Sequence, residues 1–369
     1  MNNKKISYAE AILSAYEYLL DKYPEVFVIG QGLWSPWYVG NSMKDLDKKY
    51  GTDRIIDTPL SESAVTGMAV GASLCGSNPI VVHPRIDFML YAMDAVANQA
   101  AKWSHMTGNQ ASPSVTFRGI INRGGEQGAQ HSQSLHSWFA HLPGLRVLMP
   151  FSVEDARDML ISATLSKDPV IYIDDRWLYE SKEDLKEIKE KRVSEFKPKV
   201  IKNGQDLTIV GSSFSTKLAL DISEELEKDG IRAEVIDVRA LNPFEPEVLI
   251  NSIKKTLFQV DAQILGIYRI LFGSVLFYDL ISRLSVINLF YTSKSIFPTS
   301  YILSSPYKVL PFTLLTAFNQ PWEVKFFLFS GLIFLKNVYF LLGKVLPNPS
   351  CSFLSKCSAN VGFLVICST

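Results

Sequence analysis

Between residues 8 and 255 the chain alternates, almost without interruption, between short apolar runs and longer stretches whose apolar residues recur at helical spacing. That alternation leaves few folds open. A run that is apolar at successive positions has no face for water, so it must be a strand covered on both sides. The intervening helices are the cover, which specifies an α/β fold with a doubly wound parallel sheet. "EVFVIG", "PIVV", "SVTFRGI", "LRVLM" and "PVIYI" read as the strands, and residues 8–23, 63–75, 87–103 and 152–165 as the helices. Ser7 and Glu10 form a capping box at the start of the first helix, ahead of Ile12, Leu13, Tyr16, Leu19 and Leu20 on one face.

Residues 179–199 are charged nearly throughout and lack the apolar stripe of a core helix, so they read as a solvated linker after a first domain over 1–178. "DLTIVG", a helix over 216–228, "AEVIDV" and a helix over 246–255 then begin a second domain of the same style over 200–256. Residues 257–369 do not complete it. They hold three acids, eight basic residues, no histidine and 14 of the 22 phenylalanines, with no recurring helix or strand period. Such text resembles translation in a wrong reading frame. A membrane anchor over 326–342, interrupted by Lys336, and a lineage-specific extension are the rival readings. Any chemistry therefore belongs to residues 1–256.

Charge excludes some functions. The 37 basic and 37 acidic residues cancel, so no whole-chain field draws nucleic acid or an anionic membrane. Four cysteines without a CxxC pair fit a reducing compartment, and Glu10 and Glu17 interrupt what a signal peptide would need; the expectation is a cytoplasmic protein. Gly30-Gln31-Gly32 follows a strand but lacks the third glycine of a dinucleotide fingerprint, and neither a Walker motif nor a GxSxG elbow is present. His131, His136 and His141 recur every five residues, which on a helix sets them roughly 140° apart and argues against shared metal ligation. The informative segment is "RIIDTPLSESAVTGMAVGASLCG". Glu62 there is either an acid favoured by a helix start or a buried acid able to share a proton with a ligand nitrogen, with Ala64, Gly67, Ala69, Gly71 and Ala72 allowing a close neighbour.

"DTPLSE", "GMAVGASLCG", "DFMLYAMDAVANQAAK", "GAQHSQS", "AHLPGLRVLMP" and "EVIDVRALNPFEPEVLINSIKKT" resemble, in order and spacing, the beta subunit of the decarboxylating component of 2-oxoacid dehydrogenases, of the pyruvate and branched-chain type. The resemblance implies a pyrimidine-binding domain followed by an incomplete transketolase C-terminal-like domain, and thiamin diphosphate chemistry on a small 2-oxoacid. It implies that Glu62 hydrogen-bonds the aminopyrimidine ring nitrogen, that Phe88 stacks on that ring, that Leu60 lines the cofactor, and that His131 orients the substrate carboxylate or moves protons. The family's GDG motif for diphosphate and magnesium is missing, so an alpha subunit must supply that half, in an assembly with a second beta subunit. A lipoyl acyltransferase core is a further implied partner. Three positions depart from the family. Gln31 replaces a glutamate of an acidic relay, His105 a tyrosine and His83 an acid; two imidazoles near a pocket read either as recognition of a more acidic substrate or as neutral packing groups. A carboligase acting on a sugar precursor and a non-catalytic or membrane-associated subunit are the alternative functions.

Overall fold

The computed structural model describes residues 5–35, 37–122, 128–259 and 364–367. The N-terminal region opens with strand β1 (Ile6–Ser7), helix α1 (Tyr8–Lys22), β2 (Val26–Gly30), α2 (Leu46–Tyr50), β3 (Ile55–Asp57), α3 (Glu62–Leu74) and β4 (Asn78–His83). A 3₁₀ helix (Ile86–Ala92), a π-helical segment (Asp94–Ala100) and α4 (Ala101–Met106) lead to β5 (Thr116–Ile121), α5 (His136–Ala140), β6 (Arg146–Leu148), α6 (Val153–Thr164), β7 (Val170–Asp175) and β8 (Lys182–Glu183). The second region comprises β9 (Lys199–Lys202), β10 (Leu207–Gly211), α7 (Phe214–Lys228), β11 (Ala233–Asp237), β12 (Ala240–Asn242) and α8 (Glu247–Gln259), with β13 (Leu364–Cys367).

The larger sheet has the order β12-β6-β7-β5-β4-β2-β3, parallel except for β12, which pairs antiparallel with β6. Successive residues of its strands point to opposite faces and both faces are dry. Val28, Ile80, Val82 and Tyr172 pack under α1 and α6, whereas Ile29, Val81, Ile171 and Ile173 pack under α3 and the 3₁₀ and π segments. At about 1.5–3 kcal/mol for each fully buried large apolar side chain, these two layers are the main source of the fold's stability. The capping box is present, with Ser7 Oγ accepting from Glu10 N and Glu10 Oε2 accepting from Ser7 N. The smaller sheet, β13-β10-β11-β9, keeps β10 and β11 parallel with an antiparallel strand on each edge. Arg239, at the entry to β12, donates to both carboxylate oxygens of Asp155 at 2.9 and 2.6 Å, fastening this region to α6.

Two expectations change. The helix over 87–103 is three pieces, because the first turns tighten to 3₁₀ geometry and the next widen to π. In a 3₁₀ turn, side chains three apart eclipse, and the rings of Phe88 and Tyr91 accordingly stack with centroids 6.3 Å apart. The segment 179–199 is not a solvated linker. Tyr179, Val193 and Phe196 are buried, Leu185 and Ile188 pack against the same core, and β8 pairs with β1. Its apolar residues are spaced irregularly, so no helical stripe announces them. A third feature lies wholly inside the first core: Arg118 and Asp174, both fully buried, pair through Nε–Oδ1 and Nη2–Oδ2 bonds of 2.9 Å, while Tyr16, Ser42 and Tyr179 take the remaining hydrogen bonds of the guanidinium. The readings of 257–369 as misframed text, anchor or extension lie outside the described residues, apart from 257–259 and 364–367. Among the described residues no helix is long and apolar enough to cross a membrane.

Candidate functional site

Ligands of open α/β sheets gather at the carboxyl ends of the strands, and the predicted residues fall at that edge. β2 ends at Gly30, where an added Cβ would sit 2.4 Å from the Val82 carbonyl oxygen; the close approach of β2 to β4 needs glycine there. The chain then turns at Gly32, with φ of +67°, and its N–H donates to Asp57 Oδ1 at 2.6 Å. Gln31, held between these two fixed points, lines a cavity with Thr58, Ser61, Glu62, Val65 and His83. The cavity measures about 10 Å³, roughly one water molecule. A ligand ring that meets Glu62 must therefore come from the open side. Glu62 itself is half-buried rather than buried: it stands in the first turn of α3, with one flank on the cavity and the other toward the exposed Ser63 and Ala64.

His83, in the same cavity, is 4% exposed, and its Nε2 lies 3.3 Å from Thr66 Oγ1. Burial pulls its imidazole down from the ordinary 6.5 to about 4, so at neutral pH it carries no charge. Burial of this kind favours the reading of His83 as a neutral packing group. Gln31 Oε1 is buried with no hydrogen-bond partner among the described residues.

Phe88 and His131 are brought together, although 43 positions separate them in the sequence. Phe88 is half-buried on the 3₁₀ helix that follows β4, and the His131 ring meets it edge-on, with centroids 5.1 Å apart and planes at 85°. His131 closes a short 3₁₀ turn, Ala129–His131, and its Nδ1 is buried without a partner among the described residues. Two residues further on, Gln133 donates through both its backbone N and its Nε2 to Asp87 Oδ1, at 3.0 and 2.9 Å. Sequence reasoning missed the Asp87–Gln133 contact; both residues stand inside quoted motifs, but nothing in their spacing links them.

Other predicted residues lie apart. Leu60 is 75% exposed on the loop between β3 and α3 and does not line the Glu62 cavity. His105 lines a different cavity with Ser112, Arg146, Asp168 and Pro169, at the residues that lead into β5, β6 and β7, which is the opposite edge of the sheet. The two new imidazoles thus share no pocket. Of the small residues of α3, Ala69 packs into the second core layer, whereas a Cβ at Gly67 or Gly71 would touch nothing within 4 Å among the described residues.

The family model "Transketolase, pyrimidine binding domain" matches residues 4–182, and "Transketolase, C-terminal domain" matches residues 197–260. The chain is 37% identical over 256 residues to the pyruvate dehydrogenase E1 component subunit beta, mitochondrial, of Dictyostelium discoideum, covering 69% of this chain and 72% of the relative. It is 36% identical over 252 residues to the pyruvate dehydrogenase E1 component subunit beta of Rickettsia bellii (strain RML369-C), covering 68% and 77%. Among solved structures, a split gene transketolase, described as an inactive beta4 tetramer, aligns with a TM-score of 0.53 at 22% identity over 68% of this chain and 77% of that one, a likeness of fold. The doubly wound sheet, the ordered motifs and these identities agree, and the chain belongs to the family of pyruvate dehydrogenase E1 beta subunits.

Proposed function

We propose that this chain is the beta subunit of a thiamin-diphosphate-dependent 2-oxoacid dehydrogenase and binds the aminopyrimidine half of the cofactor. The observation that carries the reading is the set of groups along the carboxyl edge of the large sheet: a half-buried carboxylate at a helix start, and, on the neighbouring segments, a half-buried phenyl ring with an imidazole set against it. Buried polar atoms of Gln31, Asp87 and His131 at the same edge, without partners among the described residues, suit a polar heterocycle or its waters. An aminopyrimidine has a flat face and a ring nitrogen, and these groups answer both.

In this reading Glu62 hydrogen-bonds the ring nitrogen and holds or returns a proton there. Phe88 offers its face to the ring, Leu60 lines the cofactor from the loop before α3, and His131 orients the substrate carboxylate or moves a proton near the reacting carbon. Bound there, thiamin diphosphate would supply a ring carbon that is nucleophilic once deprotonated, and a cationic ring able to hold the electron pair released as carbon dioxide leaves. Without a GDG motif this chain cannot hold the diphosphate and its magnesium, so an alpha subunit does. The side chains of Trp37, Leu60, Met68 and Tyr91 are 59–86% exposed, and apolar surface of that kind supports coverage by an alpha subunit and a second beta subunit. An acyltransferase core is the partner that would accept the acyl group.

Reconstitution tests this. Carbon dioxide release from pyruvate and from branched-chain 2-oxoacids is measured for the chain alone and with its alpha partner, thiamin diphosphate and magnesium. Release by the assembled pair and none by the lone chain is expected; turnover by the lone chain contradicts the half-site argument.

A further inference from the structure

The ring of His131 has no hydrogen bond among the described residues, and its Nδ1 is buried without a partner. Its orientation therefore rests on its edge contact with Phe88 and on the backbone turn that carries it. One anchor of that turn stands on the 3₁₀ helix. Asp87, 5% exposed, accepts both the backbone N–H and the side-chain amide of Gln133 on one carboxylate oxygen. Charge-assisted bonds of this kind are about twice as strong as neutral ones. Asp87 is also the chain neighbour of Phe88, so the 3₁₀ helix carries the anchor of the turn and the ring it presses against as one rigid piece.

We propose that Asp87 is a positioning residue: by gripping Gln133 it sets the His131 imidazole edge-on against Phe88, at the geometry turnover requires. The proposal rests on the reading that Phe88 and His131 face the cofactor and substrate. The other Asp87 oxygen, Oδ2, is buried with no partner among the described residues. That oxygen is left free to accept from a water or a ligand group. The oxygen that grips Gln133 is what ties the turn to the 3₁₀ helix.

The test has two arms. Hydrogen–deuterium exchange on the full chain, without partner or cofactor, reads the Gln133 amide directly. In Asp87→Ala the exchange of residues 128–134 rises about tenfold, which corresponds to a lost charge-assisted hydrogen bond of about 1.4 kcal/mol, while peptides from β5 and β7 stay as protected as in the unaltered chain. Asp87→Asn, which keeps an acceptor oxygen, gives a smaller rise in the same segment and serves if the alanine variant does not fold. Unchanged exchange at 128–134 in a folded variant overturns the proposal.

The second arm uses the enzyme assembled with its alpha partner. Asp87→Ala loses about 10²-fold in kcat, the scale of a small misplacement of a reacting group. The double variant Asp87→Ala/His131→Ala is no slower than His131→Ala alone, since Asp87 acts through the imidazole. Losses that multiply in the double variant overturn the proposal. An unaltered assembly that releases no carbon dioxide counts against the proposed function instead, and the exchange arm still decides whether Asp87 holds the turn.

Discussion

His83 makes the dryness of the sheet edge measurable. Its imidazole is buried beneath Glu62 with the Thr66 hydroxyl as its polar neighbour, and burial alone holds it at about 4, against 6.5 in an unfolded chain. The sign follows from which state binds the proton. The unfolded chain protonates His83 as pH falls through 6.5, the folded chain only near 4, so its contribution to stability is complete above pH 6.5 and is lost as pH falls toward 4. Between pH 8 and pH 5 the loss is about 2 kcal/mol, at about 1.4 kcal/mol for each pH unit of separation. His83→Gln keeps a hydrogen-bonding group toward Thr66 and cannot titrate. Urea unfolding of both proteins at pH 8 and pH 5 isolates the term, because other titrating groups cancel in the comparison. The original chain should lose about 2 kcal/mol more than the variant. Equal losses in the two proteins would refute the burial argument.

Asp237 gives the opposite sign in the second region. Burial raises its carboxyl to about 7, with Thr216 donating to it and Asp155 and Arg239 as the charged neighbours; it weakens the fold as pH rises from about 4 to 7. Asp237→Asn should therefore stabilise more at pH 8 than at pH 5, by roughly 2–3 kcal/mol in urea midpoints converted to free energy, and an equal effect at both pH values would contradict this. Breaking the Arg118–Asp174 pair by Arg118→Met strands a buried carboxylate and should cost about 3–5 kcal/mol in the same assay; a change below 1 kcal/mol would show that the pair is not dry. Sequencing the coding DNA around Thr256 should reveal family-like text in another frame if residues 257–369 are misframed, and an intact single frame in independent isolates would reject that reading.

Much of the fold was legible because its signals are local. A capping box lies within four residues, and alternate strand residues that all need burial force a covered parallel sheet. What was hidden depends on distant partners. Arg118 and Asp174 are 56 positions apart, and either alone reads as a surface charge in a strand. The apolar residues of 179–199 find the core without helical periodicity, so Leu185, Ile188, Val193 and Phe196 were masked by the charges around them. At the site, the roles of Glu62, Phe88 and His131 come from a resemblance, while the Asp87–Gln133 contact beside the pair joins a 3₁₀ helix to a loop at one sheet edge. Sequence order gives no indication of which end of the sheet a helix residue reaches, and His105 stands at the edge opposite Glu62.

The central claim concerns one carboxyl group, and its most direct measurement is decarboxylation by the assembled enzyme carrying Glu62→Gln. Because Glu62 is half-buried and makes no hydrogen bond among the described residues, the variant should fold and assemble as the original chain does. Loss of at least about 10²-fold in kcat with assembly intact is the predicted result, the scale of a removed proton-transfer group. A rate near that of the unaltered enzyme would remove Glu62 from the chemistry and the proposed role of this sheet edge with it.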